Sequence, residues 1–252
     1  MSPSSAVLGI DVGGSAVKAG RVDVAAGKLL GQLVSVPTPR PATPASLMPV
    51  LGQLVDQLPA PGSRIGIAFP SVVKRGTVYT AANIDPSWIG VNAAAQATAD
   101  FGRTVLFLND ADAAGVAEMR WGAGRDCRGT VIMLTFGTGI GSALFVDGKL
   151  FPNTEFGHLQ INGMDAEKRA SAQVRTRERL DFPAWIERVN EYLLAMYQLF
   201  WPDVFILGGA VSERFPEFAP LLRSAAELRP AHFAGQAGVI GAALAAAESA
   251  AS

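Results

Sequence analysis

Cysteine is almost missing from this chain. Cys127 is the only one, so no internal disulfide can form and no structural zinc site can be built on a cysteine cluster. Charge of one sign is missing too. Lysine and arginine total 21 against 22 aspartates and glutamates, a formal net charge of -1. Global charge therefore gives no ground for a nucleic acid or an acidic membrane as partner, and any anion site has to be local. Long apolar runs are absent as well. No stretch approaches the roughly 20 residues that cross a bilayer, and the first apolar run is broken by Asp11, so no signal peptide is expected. These absences predict a cytoplasmic protein in a reducing setting. What is abundant is hydrophobic residues, 49% of 252. A chain of this size and composition can bury a sizeable core as one large domain or two small lobes.

Hydrophobic periodicity divides the chain into alternating elements. Residues 8–11 read as a buried strand ending in a carboxylate, and Gly13, Gly14 and Ser15 supply a tight turn. Residues 17–24 and 29–36 read as further strands. Residues 37–44 hold four prolines and read as a stiff loop. Leu47, Val50, Leu51, Leu54, Val55 and Leu58 recur at helical spacing. Strands are predicted at 64–69, 105–108, 131–135 and 204–207, with a further strand running to Val146. Helices are predicted at 91–101, 111–121, 182–200 and 236–249. A shift of 124 positions lays Asp11 on Thr135, Gly13 on Gly137, Val22 on Val146 and Asp23 on Asp147. Each half then opens as strand, glycine turn, strand. Two such α/β lobes would face each other across a cleft between two glycine turns. The expected division is 1–108, joined by the closing helix at 236–250, and 109–235.

Several short segments can carry chemistry. In the turn at Asp11, Gly13, Gly14 and Ser15, with Lys18 beyond it, glycines let backbone N–H groups approach a phosphate. Asp11 can hold a hydrated Mg²⁺. An ordinary hairpin turn is the other reading. The second turn, Thr135, Phe136, Gly137, Thr138, Gly139, Ile140 and Gly141, is rich in donors and could hold a transferring phosphoryl group. It lacks the Gly-Lys-Ser/Thr of a P-loop, and a strand follows it where a dinucleotide fingerprint has a helix. Asn109 and Asp110 close a buried strand. Asp110 is either the cap of the next helix or a general base accepting a sugar hydroxyl proton, with Asn109 bonding a neighbouring hydroxyl. Glu155 and His158 put an acceptor and a donor three residues apart, as sugar hydroxyls require. Metal binding is the rival, and one His with one Glu makes a poor zinc site. Gly208 and Gly209 end a strand and could face a nucleotide or phosphate, although a plain strand–turn–helix connection also accounts for them.

Taken together, these segments resemble the ROK family of sugar kinases and repressors, within the actin-like ATPase superfamily. The nearer likeness is to its polyphosphate-dependent glucokinase and glucomannokinase branch. The residues carrying it are Asp11 to Lys18, Ala82 to Gly90, Asn109 to Gly115, Leu134 to Ser142, and Glu155 with Gly157 and His158. The resemblance implies a two-lobed actin-like (ribonuclease H-like) ATPase fold with a central cleft. It implies Asp110 as catalytic base and Asn83, Asn109, Glu155, His158 and Glu167 as hexose ligands. Its donor side takes in Asp11, Gly13, Gly14, Ser15, Lys18, Thr135, Gly137, Thr138, Gly139, Gly208 and Gly209. Mg²⁺ would be the cofactor, glucose or mannose the acceptor, polyphosphate or ATP the donor, and a homodimer the assembly.

The chain also departs from the family pattern. It lacks the zinc-binding cysteine cluster found beside the equivalent of Glu167 in many relatives, so no zinc site is expected. Ser71 follows Pro70 where glycine is usual, and Gln160 stands where relatives in the branch carry an acid. The first strand begins too early for an N-terminal helix-turn-helix, so repressor function is not expected. For polyphosphate, a cationic track is needed. Lys74, Arg75, Arg169 and Arg175 are candidates, and a solvated helix face is the other reading of the last two. The competing functions are an ATP-only kinase of another hexose or an N-acetylated amino sugar, and a non-catalytic sugar-binding regulator of the same fold.

Overall fold

The computed structural model describes residues 6–60 and 64–249. The chain divides into two compact units, residues 1–117 with 236–252, and residues 118–235. The division falls at 117/118, inside a helix, rather than at the expected 108/109. Residues 1–5, 61–63 and 250 of the expected first lobe lie outside the described residues.

In unit 1, β1 (Ala6–Val12), β2 (Ala16–Asp23), β3 (Lys28–Leu29), β4 (Val34–Pro37) and β5 (Arg64–Phe69) precede a small hairpin, β6 (Val73–Lys74) and β7 (Thr77–Val78). β8 (Thr104–Asn109) completes a sheet of order β3-β2-β1-β5-β8, with β4 also paired to β2. β1 and β2 are antiparallel; β1, β5 and β8 are parallel. The predicted strand at 29–36 is in fact two short strands, because Gly31 takes a left-handed φ of 96° that an extended strand cannot accommodate. The helix α1 (Pro44–Gln57) begins within the predicted proline loop. Thr43 caps it by accepting from Ser46 N, and Pro44 has the fixed φ suited to a first helical position.

Period-2 alternation sorts the central strands. Leu8, Ile10, Val12, Ile65, Ile67 and Phe69 join one core with α1 and with α2 (Ala93–Phe101). The opposite face carries small residues, Gly9, Gly66 and Ala68, and receives the alanine-rich α8 (Ala237–Glu248). The approach is close: a methyl at Gly66 would sit 1.8 Å from the Ala242 carbonyl oxygen. Large side chains on one face and almost none on the other let one sheet pack two helix layers at different depths. After β8, α3 (Asp110–Trp121) follows directly.

Unit 2 repeats the plan with β9 (Thr130–Phe136), β10 (Ile140–Val146), β11 (Lys149–Phe151), β12 (Gln160–Ile161), β13 (Met164–Asp165), β14 (Val204–Gly208) and β15 (Glu227–Pro230). The main sheet runs β11-β10-β9-β14-β15, antiparallel across β9 and β10 and parallel across β9, β14 and β15. β12 and β13 form a separate hairpin. The helices are α4 (Glu167–Ala170), α5 (Ala172–Arg177), α6 (Phe182–Phe200) and α7 (Phe215–Phe218). α6 is capped by Asp181 and buries Trp185, Ile186, Val189, Tyr192, Leu193 and Met196 against Ile132, Leu134, Phe136, Phe205 and Leu207.

The internal repeat is real at the level of strand order, but its register needs a correction. Val12 pairs with Val17, while Phe136 pairs with Ile140. The second hairpin is therefore tighter by one residue. Val22 faces Val7 and is buried, whereas Val146 faces Thr130 and is exposed. The sheet equivalent of Val22 is Phe145, which pairs with Val131 and is buried. A slip of one residue moves a side chain to the other face.

Candidate functional site

Asp11 stands near the end of β1, opposite Lys18 on β2. Its carboxylate lies against Gly238, where an added methyl would meet its Cγ at 2.7 Å. Burial pushes its pKa up to about 6 while the Lys18 charge pulls the other way. The absence of a side chain at Gly238 makes room for the Asp11 carboxylate itself, and a carboxylate is the ligand type that a hydrated divalent cation takes. The neighbouring turn is exposed at Gly14 and Ser15. Gly13 N donates to the Ala16 carbonyl at 3.0 Å, and Thr38 Oγ1 donates to the Gly13 carbonyl at 2.6 Å.

At the end of β8, Asn109 caps α3. Its Oδ1 accepts from Ala111 N at 2.9 Å and Asp112 N at 3.0 Å, and its Nδ2 donates to the Ser71 carbonyl at 3.2 Å. The capping role considered for Asp110 thus falls largely to Asn109. Asp110 is the first residue of α3, half-buried, with Oδ1 accepting from Ala111 N at 2.8 Å. The short Pro70–Ser71 segment matters here because its backbone, not its side chain, anchors Asn109. Asn83 is exposed in the turn just before Asp85, which caps a short helix at Pro86–Trp88. Lys74 and Arg75 lie at the β6–β7 hairpin, where Arg75 takes a φ of 52°.

In unit 2 the glycine turn of residues 137–139 is closed by a Gly137 N to Gly139 carbonyl bond of 3.0 Å, with Gly137 and Thr138 exposed. Thr135 pairs with Gly208 across β9 and β14. Gly209 has a packing reason of its own. Its φ is 87°, and a methyl there would meet the Phe136 carbonyl oxygen at 2.2 Å.

Glu155, His158 and Glu167 come together with Asp165. His158 Nε2 is 3.7 Å from Glu155 Oε2; its Nδ1 is 3.5 Å from Asp165 Oδ2 and 3.9 Å from Glu167 Oε1. Glu167 Oε2 also accepts from Ile140 N at 3.3 Å. Burial raises the Glu155 pKa, with His158 lowering it and Glu167 raising it. The Lys168 ammonium, 3.0 Å from Asp165, leads the contacts that hold the Asp165 carboxyl below its usual range. Gln160 donates to Asp165 across the β12–β13 hairpin. An acid at position 160 would meet Asp165 as a like charge, and the amide meets it as a donor. Asp165 was not singled out in the sequence, although it stands two residues before Glu167. Of the predicted track, Arg169 pairs with Glu191 at 2.6 Å and Arg175 stacks on the Phe182 ring at 4.2 Å. Both therefore have partners in the fold.

His158, Asp165 and Glu167 form a group that could hold a metal ion by the proximity of its ligand atoms. Asp165 is already engaged by Lys168 and Gln160. Three acceptors and an imidazole on one half-exposed surface match the alternating donors and acceptors of a sugar.

The ROK family model matches residues 7–174. The chain belongs to the ROK family. It is 45% identical over 239 residues to a polyphosphate glucokinase of Mycobacterium tuberculosis, covering 94% of this chain and 90% of that one. The polyphosphate glucokinase of Mycobacterium leprae is 43% identical over 94% of this chain and 74% of its own length. Among solved structures, the inorganic polyphosphate/ATP-glucomannokinase of Arthrobacter sp. strain KM superposes with a TM-score of 0.94 at 44% identity, over 98% of this chain and all of that one. A ROK family glucokinase of Streptomyces griseus, solved with glucose and AMPPNP, gives a TM-score of 0.84 at 25% identity, over 96% and 99%. This ROK chain has the mixed α/β actin-like ATPase fold. Among its described residues no helix is long and apolar enough to cross a membrane.

Proposed function

We infer that this chain is a phosphotransferase that moves a phosphoryl group from polyphosphate or ATP to the 6-hydroxyl of glucose, with mannose as a second acceptor. One observation carries the reading: identity of 45% to a polyphosphate glucokinase extends over 94% of the chain, and Asp110 stands half-buried at the start of α3 within the stretch it covers.

The roles follow from chemistry. Asp110 accepts the proton of the sugar hydroxyl as its oxygen forms the bond to phosphorus. The leaving ADP, or the polyphosphate shortened by one unit, keeps the electrons of the broken P–O bond. Glu155, His158 and Glu167 hold the hexose through its other hydroxyls. Asn109 spends both acceptor positions on α3, so its contribution to the sugar is the remaining Nδ2 hydrogen. Asn83 is a further sugar ligand. The turns at Gly13, Gly14 and Ser15 and at Gly137, Thr138 and Gly139, with Lys18, Thr135, Gly208 and Gly209, serve the donor through N–H and hydroxyl groups, the N–H groups of Gly13 and Gly137 being spent within their own turns. Asp11 would hold Mg²⁺, which when bound offsets phosphoryl charge.

Polyphosphate recognition falls mainly to Lys74 and Arg75, since Arg169 and Arg175 have partners in the fold. The exposed Leu194 and Leu199 in the second half of α6, with Trp201 just after it, support a homodimer. A cytoplasmic location without nucleic acid or membrane partners goes with this reading, which also calls for no zinc.

The deciding experiment gives the purified protein glucose, Mg²⁺, and either ATP or polyphosphates of several lengths. Turnover with polyphosphate is expected. Replacing Lys74 or Arg75 with Ala should lower kcat/KM for polyphosphate more than for ATP, by roughly 0.2–1 kcal/mol each, and added salt should erase the difference. Robust ATP turnover with no polyphosphate turnover would leave an ATP hexokinase instead.

A further inference from the structure

One buried group near Glu167 has no role in the reaction so far described. α4 is fastened along α6 in reverse order. Trp185 Nε1 donates to the Ala170 carbonyl at 2.9 Å, and Arg188 Nη1 donates to the Arg169 carbonyl at 3.2 Å. Arg169 in turn pairs with Glu191 at 2.6 Å. Positions 185, 188 and 192 follow at three- and four-residue steps, the spacing of one helix face. Tyr192 is the next position of α6 on this face, and Glu167 is the residue that opens α4.

Tyr192 is fully buried, at 0% exposure, within the core that contains Phe136, Trp185 and Phe205. Its hydroxyl has no hydrogen-bond partner among the described residues. Phenylalanine would fill the same space and avoid a buried hydroxyl left unsatisfied, which is a cost to the fold. Burial pushes the phenol pKa upward and the Glu167 charge pushes it further. The hydroxyl therefore keeps its proton and is available only as a neutral donor or acceptor. Glu167 has capacity to accept. Its carboxylate offers about four lone-pair positions, and its recorded neighbours are Ile140 N at 3.3 Å and His158 Nδ1 at 3.9 Å.

We propose that Tyr192 is a positioning residue for the hexose subsite: with sugar bound, its hydroxyl donates to the Glu167 carboxylate from the core side and fixes the angle at which that carboxylate meets the sugar hydroxyls. The proposal rests on the reading of Glu155, His158 and Glu167 as hexose ligands.

The test compares Tyr192→Phe, Glu167→Gln and the double variant, reading hexose KM, donor KM, kcat and Tm. Tyr192→Phe should raise the hexose KM by roughly 3–10-fold, the worth of one intramolecular hydrogen bond, with donor KM unchanged and Tm held or raised. In the Glu167→Gln background the same change should add little, because the acceptor it serves is altered. Wild-type hexose KM in Tyr192→Phe, alongside a raised hexose KM in Glu167→Gln, would overturn the positioning role and leave the subsite reading intact. Equal rises in both KM values with a lowered Tm would make Tyr192 a packing residue only, which also overturns it. Normal hexose KM in Glu167→Gln would instead remove the subsite reading, and the proposal with it.

Discussion

Unit 1 and unit 2 place different chemistry at the same station of one sheet plan. In each, an antiparallel hairpin leads into two parallel strands, in the orders β3-β2-β1-β5-β8 and β11-β10-β9-β14-β15. Near the end of the leading strand, unit 1 has Asp11 and unit 2 has Thr135. Asp11 pairs with Ala68 on the parallel neighbour, as Thr135 pairs with Gly208. A carboxylate attracts cations; a hydroxyl, beside a turn exposed at Gly137 and Thr138, can donate to an anion. The same divergence runs through the packing. Unit 1 seats α8 on glycine and alanine, whereas unit 2 seats α6 on large aromatic and aliphatic side chains. A repeated backbone constrains strand order and little else, so the two halves are free to specialise, and the proposed division gives the base to unit 1 and the hexose-holding carboxylates to unit 2.

The largest expected effect tests that division. Asp110→Asn should lower kcat by roughly 10²–10⁴-fold, the range for general acid–base catalysis, with little change in hexose KM. Glu155→Ala should do the reverse, raising hexose KM while the donor KM stays put. Steady-state kinetics on both variants would settle the matter, and a Glu155→Ala protein with a collapsed kcat and normal hexose KM would dissolve the distinction between the units.

Next in size is the seat of α8. A methyl at Gly241 would lie 1.7 Å from the Ala113 carbonyl oxygen, and backbone on both sides leaves nothing flexible to yield. Gly241→Ala should cost about 3 kcal/mol or more, the upper end of overpacking penalties. The same change at an exposed glycine of unit 2, Gly137, has nothing within 4 Å to strike and should cost well under 1 kcal/mol in stability. Urea unfolding curves for the two variants give the contrast directly; similar midpoints would mean that α8 is not seated as closely as the glycines require.

The third effect is smaller and depends on pH. The folded Asp11 carboxyl keeps its proton up to about pH 6, against an ordinary value of 3.8. Between those values the folded state binds more protons than the unfolded one, so stability falls as pH rises through that window. Above it the loss is at most about 3 kcal/mol. Asp11→Asn should flatten this part of the stability profile and raise Tm at pH 7 in the absence of metal. Added Mg²⁺ should stabilise the natural protein and not the variant. Thr135 has no counterpart to this behaviour, so Thr135→Val should leave the profile unchanged. A natural protein with a level profile from pH 4 to 6 would mean that Asp11 is not strained by burial.

Much of the architecture was legible because local pattern coincides with it. The strand at Arg64–Phe69 and the helix at Phe182–Phe200 appear where apolar periodicity put them, since period 2 and period 3.6 are written into a few consecutive residues. The break at Gly31 was missed because a single glycine in a run of strand-formers does not announce a positive φ. Val146 was misaligned because sequence shift carries no information on hairpin register.

Sequence by itself determined the family, the succession of strand, glycine turn and strand that opens each half, and the identity of the acids available for chemistry, since each rests on residue type and short spacing. Tertiary structure alone decided that Asn109 caps α3 while holding Ser71, and that Asp165 joins His158 and is held by Lys168 and Gln160. It decided that Arg169 and Arg175 are engaged by Glu191 and Phe182, and that Tyr192 is buried with an unanswered hydroxyl. The physical reason is common to all of them. A side chain's partners are set by burial and by segments far away in the chain, and neither quantity exists until the sheets and helices have packed.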